Sequence, residues 1–194
     1  DADIYGPSVP RMLNVSGKPD FAEGKMLPLH GHGISCMSIG FITGNEAAIL
    51  RGPMISKTLT QLLRLTRWGT ADAPMDTLLV DMPPGTGDVH LSMAQLVPMS
   101  GAVIITTPQE VALADARKAA ILFRKVNVPI LGVVENMNGS VFGSGGGAKL
   151  AAEFSVPLLG AIPLDAAIRE TADAGTAPDE TRMDYFREIA AALG

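Results

Sequence analysis

The string Thr77-Leu78-Leu79-Val80-Asp81-Met82-Pro83-Pro84-Gly85-Thr86-Gly87-Asp88 constrains the fold more than any other part of this chain. Residues 77–80 are apolar or β-branched with no polar alternation, the pattern of a strand buried on both faces of a parallel sheet. The run closes on one carboxylate, Asp81, where the strand should emerge. Two prolines then forbid further ladder pairing. The Gly-Thr-Gly turn that follows lets the backbone come close to a ligand. In an open α/β sheet, ligands gather at the carboxyl ends of the strands. A carboxylate there, followed by a glycine turn, suits a hydrated Mg²⁺ and a terminal phosphate. A lone strand-end Asp would read more simply as a turn cap, but the whole string does not.

Other runs repeat the alternation. Residues 33–41 read as a strand containing Cys36, a small hydrophobe if buried. Arg51-Gly52-Pro53-Met54 opens a helix, with Pro53 in its first turn and Met54, Leu59, Leu62, Leu63 and Leu65 as its apolar stripe. Residues 89–96 form a helix ended by Pro98. Residues 102–106 are a strand stopped at Pro108, and 112–123 a helix with Asp115, Arg117 and Lys118 on its wet face. Residues 129–134 are a strand ending at Glu135-Asn136-Met137, and 157–162 a short final strand. Helices follow over 166–172 and 182–193, the last with Tyr185, Phe186, Ile189 and Leu193 on one face. Strands alternating with helices predict an α/β fold, a mostly parallel sheet with helices on both faces. No internal repeat or second domain is read, so residues 1–194 are taken as one domain.

Composition excludes several function classes. The chain has 194 residues, 47% hydrophobic and 18% charged, enough for one packed domain and too apolar for disorder. A net charge of −5 without a basic cluster argues against a nucleic-acid partner. No apolar run approaches membrane-spanning length, and the opening Asp-Ala-Asp does not read as a secretory leader. The final helix lacks the basic face of a membrane-surface helix, so no membrane partner is expected. Cys36 is the single cysteine, which fits a reducing compartment. His30 and His32 flank Gly31, but without a third ligand nearby they read as loop histidines and not as a metal pair.

The string Val-Asp-Met-Pro-Pro-Gly-Thr-Gly-Asp closely resembles the Walker B and switch II segment of the Mrp/ApbC-type P-loop ATPases. These are iron–sulfur cluster carriers within the deviant-Walker group that includes MinD and nitrogenase iron protein. The resemblance runs almost end to end, through residues 1–10 (Asp-Ala-Asp-Ile-Tyr-Gly-Pro-Ser-Val-Pro), Arg51 to Met54, Thr107-Pro108-Gln109, Val134 to Met137 and Ile162 to Asp165. It implies a P-loop NTPase fold and an ATP-dependent iron–sulfur cluster scaffold or carrier. ATP and Mg²⁺ would be its cofactors, a homodimer its state, apo iron–sulfur proteins its clients, and the cytoplasm or the mitochondrial matrix its location. Site roles follow position by position. Asp81 would hold Mg²⁺ through water, with Asp1 beside it. Asp3, at switch I, would orient the attacking water. Gly85, Thr86, Gly87 and Asp88 would sense the γ-phosphate. Asn136 would contact the base, aided by its acceptor and donors, and Pro163, Leu164 and Asp165 would close over it. Arg51 could approach phosphate. Taken alone, Asp1 and Asp3 would read as solvated turn residues and Asn136 as a turn former.

Two departures stand out. The family's first strand and its G-x-x-x-x-G-K-[ST] phosphate loop are not among these 194 residues. The nearest string, Gly143-Ser144-Gly145-Gly146-Gly147-Ala148-Lys149-Leu150, has Ala for the second Gly and Leu for the hydroxyl residue, and reads as a loop and helix start. Cluster carriers also have a Cys-x-x-Cys pair after Asn-Met. Here Asn138-Gly139-Ser140 runs straight into Val141-Phe142-Gly143, so these residues supply no iron–sulfur ligand, and a [4Fe–4S] centre is expected only if such a pair is present in the parent chain. Two other readings therefore accompany the carrier: a MinD-like positioning ATPase and a degenerate, non-enzymatic interaction module.

Overall fold

The computed structural model describes residues 1–43, 52–85 and 87–194. They form two compact units, Asp1–Leu96 with Ala172–Thr176, and Val97–Thr171 with Ala177–Gly194. Arg51 and Thr86 lie outside the described residues.

The first unit holds short elements: helix α1 (Val9–Met12), the antiparallel pair β1 (Phe21–Ala22) and β2 (Lys25–Met26), the antiparallel pair β3 (Leu29–Gly31) and β4 (Ile34–Cys36), helix α2 (Gly40–Thr43), and the longer helices α3 (Gly52–Arg64) and α4 (Asp88–Leu96). Ile55, Leu59 and Leu62 bury one stripe of α3, and Met93 of α4 is fully enclosed. The Ser56 and Ser92 hydroxyls meet at 2.8 Å between the two helices. Met54 and Leu65, placed in the stripe by spacing, are exposed.

Two expected strands differ. Residues 77–80 form no strand, and Leu79 is 85% exposed. An apolar run becomes a buried strand only when ladders flank it and layers cover it. The backbone bond described here is Ala2 N–H to the Asp81 carbonyl at 2.8 Å, at the very end of the run. The strand expected over 33–41 stops at Cys36. The enclosed Ser38 hydroxyl oxygen accepts from the Gly40 amide at 3.1 Å, and the chain turns into α2.

The second unit is built on a parallel sheet, β5 (Ala102–Thr106), β6 (Ile130–Asn138) and β7 (Leu158–Pro163), in that order. Helices α5 (Glu110–Lys125), α6 (Gly146–Phe154) and α8 (Glu180–Leu193) pack against it, and α7 (Ala166–Ala174) follows β7. Adjacent strand residues face opposite ways. Val134 joins Leu159 and Ile162 in a cluster against which Tyr185, Phe186 and Ile189 of α8 pack, whereas Glu135 meets Gly147 of α6, so helices cover both faces. The α/β expectation holds here. Strand β6 runs four residues beyond its expected end and carries Glu135, Asn136 and Met137 within it.

Candidate functional site

In the first unit, burial alternates along the opening residues. Ala2 and Ile4 are buried, while Asp1 and Asp3 are partly exposed. This period of two sets both carboxylates on one side. The Ala2 N–H to Asp81 carbonyl bond lays that segment beside the Asp81 backbone, although the two are far apart in sequence. Asp81 itself is exposed. The Asp1 oxygens are engaged locally, Oδ2 by the Ser38 hydroxyl at 2.9 Å and Oδ1 by the Asp3 amide at 3.1 Å. Asp3 Oδ1 accepts the amides of Tyr5 at 3.2 Å and Gly6 at 3.1 Å, a turn that leaves Oδ2 outside both bonds.

The glycine turn after Asp81 is open. Gly85 has φ +91, which a side chain resists, and a Cβ at Gly85 or Gly87 would meet nothing within 4 Å. That space and the exposed Asp81 fit a phosphate-bearing ligand with its hydrated cation. Asp88 is the first residue of α4.

His90, two residues into α4, is a buried group that sequence reasoning passed over. Its backbone amide bonds the Gly87 carbonyl at 3.1 Å and ties α4 to the turn. Burial pushes the imidazole pKa below its ordinary 6.5, opposed by a hydrogen bond at the Gly87 backbone. The unfolded chain then binds more protons than the folded one just below pH 6.5, so acidification from there favours unfolding. The melting temperature should fall between about pH 6.5 and 5.5, and His90→Gln should flatten that part of the profile. An identical slope in the variant would remove His90 from the explanation.

In the second unit, Asn136 Oδ1 accepts the Met137 amide at 2.9 Å, and Met137 has φ +58, the left-handed region. Asn136 is half-buried, and its carboxamide nitrogen lies outside that bond. The Asn138 carbonyl accepts the Leu164 amide at 2.9 Å, which joins the Pro163-Leu164 loop to the end of β6. Asp165 also has partners within the chain. It accepts the Ala167 amide of α7 at 2.8 Å and Arg182 Nε at 2.7 Å. The Arg182 guanidinium, aided by that amide, holds the Asp165 carboxyl below the usual carboxylate range.

The glycine string 143–150 is a helix start, as expected. Its amides meet a protein carboxylate: Glu135, 2% exposed, accepts Gly145 N–H through Oε1 at 3.0 Å and Gly147 N–H through Oε2 at 2.6 Å. Sequence reasoning noted Glu135 only as a polar strand end. The available signal was a carboxylate closing an apolar run, ten residues before a glycine cluster. Cys36 is buried in β4 opposite Leu29, and burial raises its thiol pKa. His30 Nδ1 bonds the Ser35 hydroxyl, and His32 Nε2 bonds the Gly175 carbonyl. No group of three or more metal-ligating side chains occurs among the described residues.

Residues 1–193 match a family described as ParA, NUBPL iron-transfer P-loop NTPase. The chain is 46% identical over 187 residues to the mouse iron–sulfur cluster transfer protein NUBPL, covering 90% of this chain and 57% of that protein. It is 46% identical over 208 residues to the iron–sulfur cluster carrier protein of Escherichia coli strain K12, covering 98% and 55%. The chain thus spans little more than half the length of these relatives. Among solved structures, it is similar to an ADP-bound nucleotide-binding protein from Archaeoglobus fulgidus (TM-score 0.76, 30% identity, 96% of this chain and 74% of that one). It is also similar to the cell-division ATPase MinD of Pyrococcus furiosus (TM-score 0.53, 29% identity, 61% and 52%).

Proposed function

Because the chain belongs to the ParA family, as a NUBPL-type iron-transfer P-loop NTPase, we propose that it is an ATP-hydrolysing carrier or scaffold of iron–sulfur cluster assembly. Relatives named as cluster carriers and transfer proteins support the assembly role. The observation that carries the ATPase reading is the Ala2–Asp81 backbone bond, which lays the segment carrying Asp1 and Asp3 beside the Asp81 backbone, just ahead of the open glycine turn. Asp81 would hold Mg²⁺ through water, with Asp1, already bonded twice, in a supporting place. When bound, that cation offsets negative charge on the phosphate oxygens. The backbone at Gly85 and Gly87 receives the terminal phosphate, and Thr86 and Asp88 take part in the same contact as the family resemblance implies. Asp3 accepts a hydrogen bond from the attacking water through Oδ2 and so directs its lone pair. In the second unit, Asn136 offers its carboxamide donors to a base edge, and the Pro163-Leu164 backbone lies over it. The Asp165 carboxylate supports that loop through α7 and Arg182.

Partners follow from the same reading: a second copy of the chain, and apo iron–sulfur proteins as recipients, in the cytoplasm or the mitochondrial matrix. No helix among the described residues is long and apolar enough to cross a membrane. A MinD-like role at a membrane surface has less support, because Tyr185, Phe186 and Ile189 of α8 are spent on β7. The missing Cys-x-x-Cys favours one second reading, an interaction module that contributes to assembly without ligating a cluster.

The test uses the natural full-length gene product. Mg-ATP binding is measured by calorimetry and turnover by phosphate release, for the protein and for Asp81→Ala. Binding with turnover, and loss of turnover in the variant, is the expected result. A folded protein that binds no nucleotide would replace the ATPase by the interaction module.

A further inference from the structure

We infer that Glu135 is a positioning residue: it holds the amino-terminal turn of α6 against β6 and thereby fixes Asn136 in the conformation that receives a purine base. The inference rests on the base-contact reading of Asn136 given above.

Glu135 lies in a strand whose preceding residues, Val133 and Val134, are buried apolar side chains. A carboxylate in such surroundings is costly unless its oxygens are bonded. Here each oxygen takes one amide, Gly145 on Oε1 and Gly147 on Oε2. Those amides belong to the start of α6, where the helix dipole favours negative charge. The approach requires glycine. A Cβ at Gly147 would lie 2.8 Å from Glu135 Cβ, and one at Gly146 would lie 2.7 Å from the Pro108 carbonyl oxygen. The string that imitates a phosphate loop is therefore a cradle for the chain's own carboxylate.

The consequence reaches the next residue. Residues 135–147 form a closed ring, pinned at both ends by Glu135 and cinched midway by the reciprocal Gly139–Gly143 bonds at 2.8 and 2.7 Å. Asn136 and the left-handed Met137 lie on that ring, and Met137 N–H occupies Asn136 Oδ1. Closure of the ring fixes the backbone at Asn136 and Met137, and with it the Asn136 carboxamide, whose oxygen takes the Met137 amide and whose NH₂ is left for the base. A donor there suits adenine, whose N1 is an acceptor, whereas guanine carries N–H at the same position. Glu135 thus acts on the base through Asn136 and not by contact.

Glutamine cannot replace it. It offers one acceptor and one donor to two N–H groups, so one amide faces a donor. The test uses the full-length natural protein, Glu135→Gln and Gly147→Ala. The last leaves the carboxylate intact but separates it from α6, and it carries the test if Glu135→Gln fails to fold. Both variants should exchange the Gly145 and Gly147 amide hydrogens faster than the unaltered protein. Both should bind ATP about tenfold more weakly. The preference for ATP over GTP should narrow by about threefold or more, because the loss falls on the base contact. Equal losses for both nucleotides, or faster exchange with unchanged ATP affinity, would reduce Glu135 to a structural cap and overturn the inference. Unchanged exchange would overturn the ring. Failure of the unaltered protein to bind ATP would overturn the nucleotide reading itself, and the positioning role with it.

Discussion

Asp3→Asn in the full-length natural protein should slow ATP hydrolysis by about 10²–10⁴-fold, the range a positioned acid–base group contributes, while ATP affinity changes little. The separation follows from how the carboxylate is used. Oδ1 accepts the Tyr5 and Gly6 amides and shapes the turn. Asparagine keeps one carbonyl oxygen and can keep those bonds. What it loses is the second acceptor, the atom proposed to direct water, and an NH₂ takes its place. A group that acts on the attacking water works in the transition state and not in ground-state binding, so turnover falls and the dissociation constant stays. Turnover under saturating Mg-ATP and affinity by calorimetry decide it. Lost affinity with unchanged turnover would make Asp3 a cation or turn residue. Asp3→Ala is the internal comparison: it also removes the turn acceptor, so it should lower the melting temperature where Asp3→Asn does not.

How much of this was legible in the sequence differs between the two units for physical reasons. Strand β5 appears with the bounds its apolar run implies, and α5 contains the expected helix, because local pattern and tertiary burial agree there. Residues 77–80 have the same apolar character, yet Leu79 stands exposed, because composition cannot say whether a run has neighbours to pair with. The acidic site was legible only as fragments. Asp3 and Asp81 could be named from their motifs, but the bond that brings their segments together, Ala2 to Asp81, joins residues with no sequence relation. Glu135 was the least legible. Its carboxylate looks like a solvated strand end until α6 is folded onto it, and its partners are backbone amides, which carry no residue signature. Asp165 illustrates the reverse. The family motif suggests a ligand contact, and the structure adds bonds from Arg182 and the start of α7 to the same carboxylate, which the motif does not foretell.

A protein with these 194 residues should hold no stoichiometric iron–sulfur cluster after anaerobic reconstitution, and Cys36→Ala should leave its iron and sulfide counts unchanged. A [4Fe–4S] centre shared across a dimer takes two thiolates from each subunit, and the chain has one cysteine. That cysteine is unsuited to the task on three grounds. It is 7% exposed in β4. Burial raises its thiol pKa, which disfavours the thiolate that binds iron. It also belongs to the first unit, whereas the segment that carries the family's cysteine pair, after Asn136-Met137, belongs to the second. In that segment the chain has a hairpin closed by the two Gly139–Gly143 bonds, with Val141 exposed at its tip. Val141 offers no donor, and the Ser140 hydroxyl is a poor substitute for a soft thiolate. A parent chain that does carry Cys-x-x-Cys between Met137 and Val141 should instead hold one cluster per dimer, still insensitive to Cys36→Ala. Iron and sulfide per subunit, with the visible charge-transfer absorption of the cluster, decide between the cases. A stable stoichiometric cluster on these 194 residues that disappears in Cys36→Ala would make Cys36 a ligand and move the cluster site into the first unit.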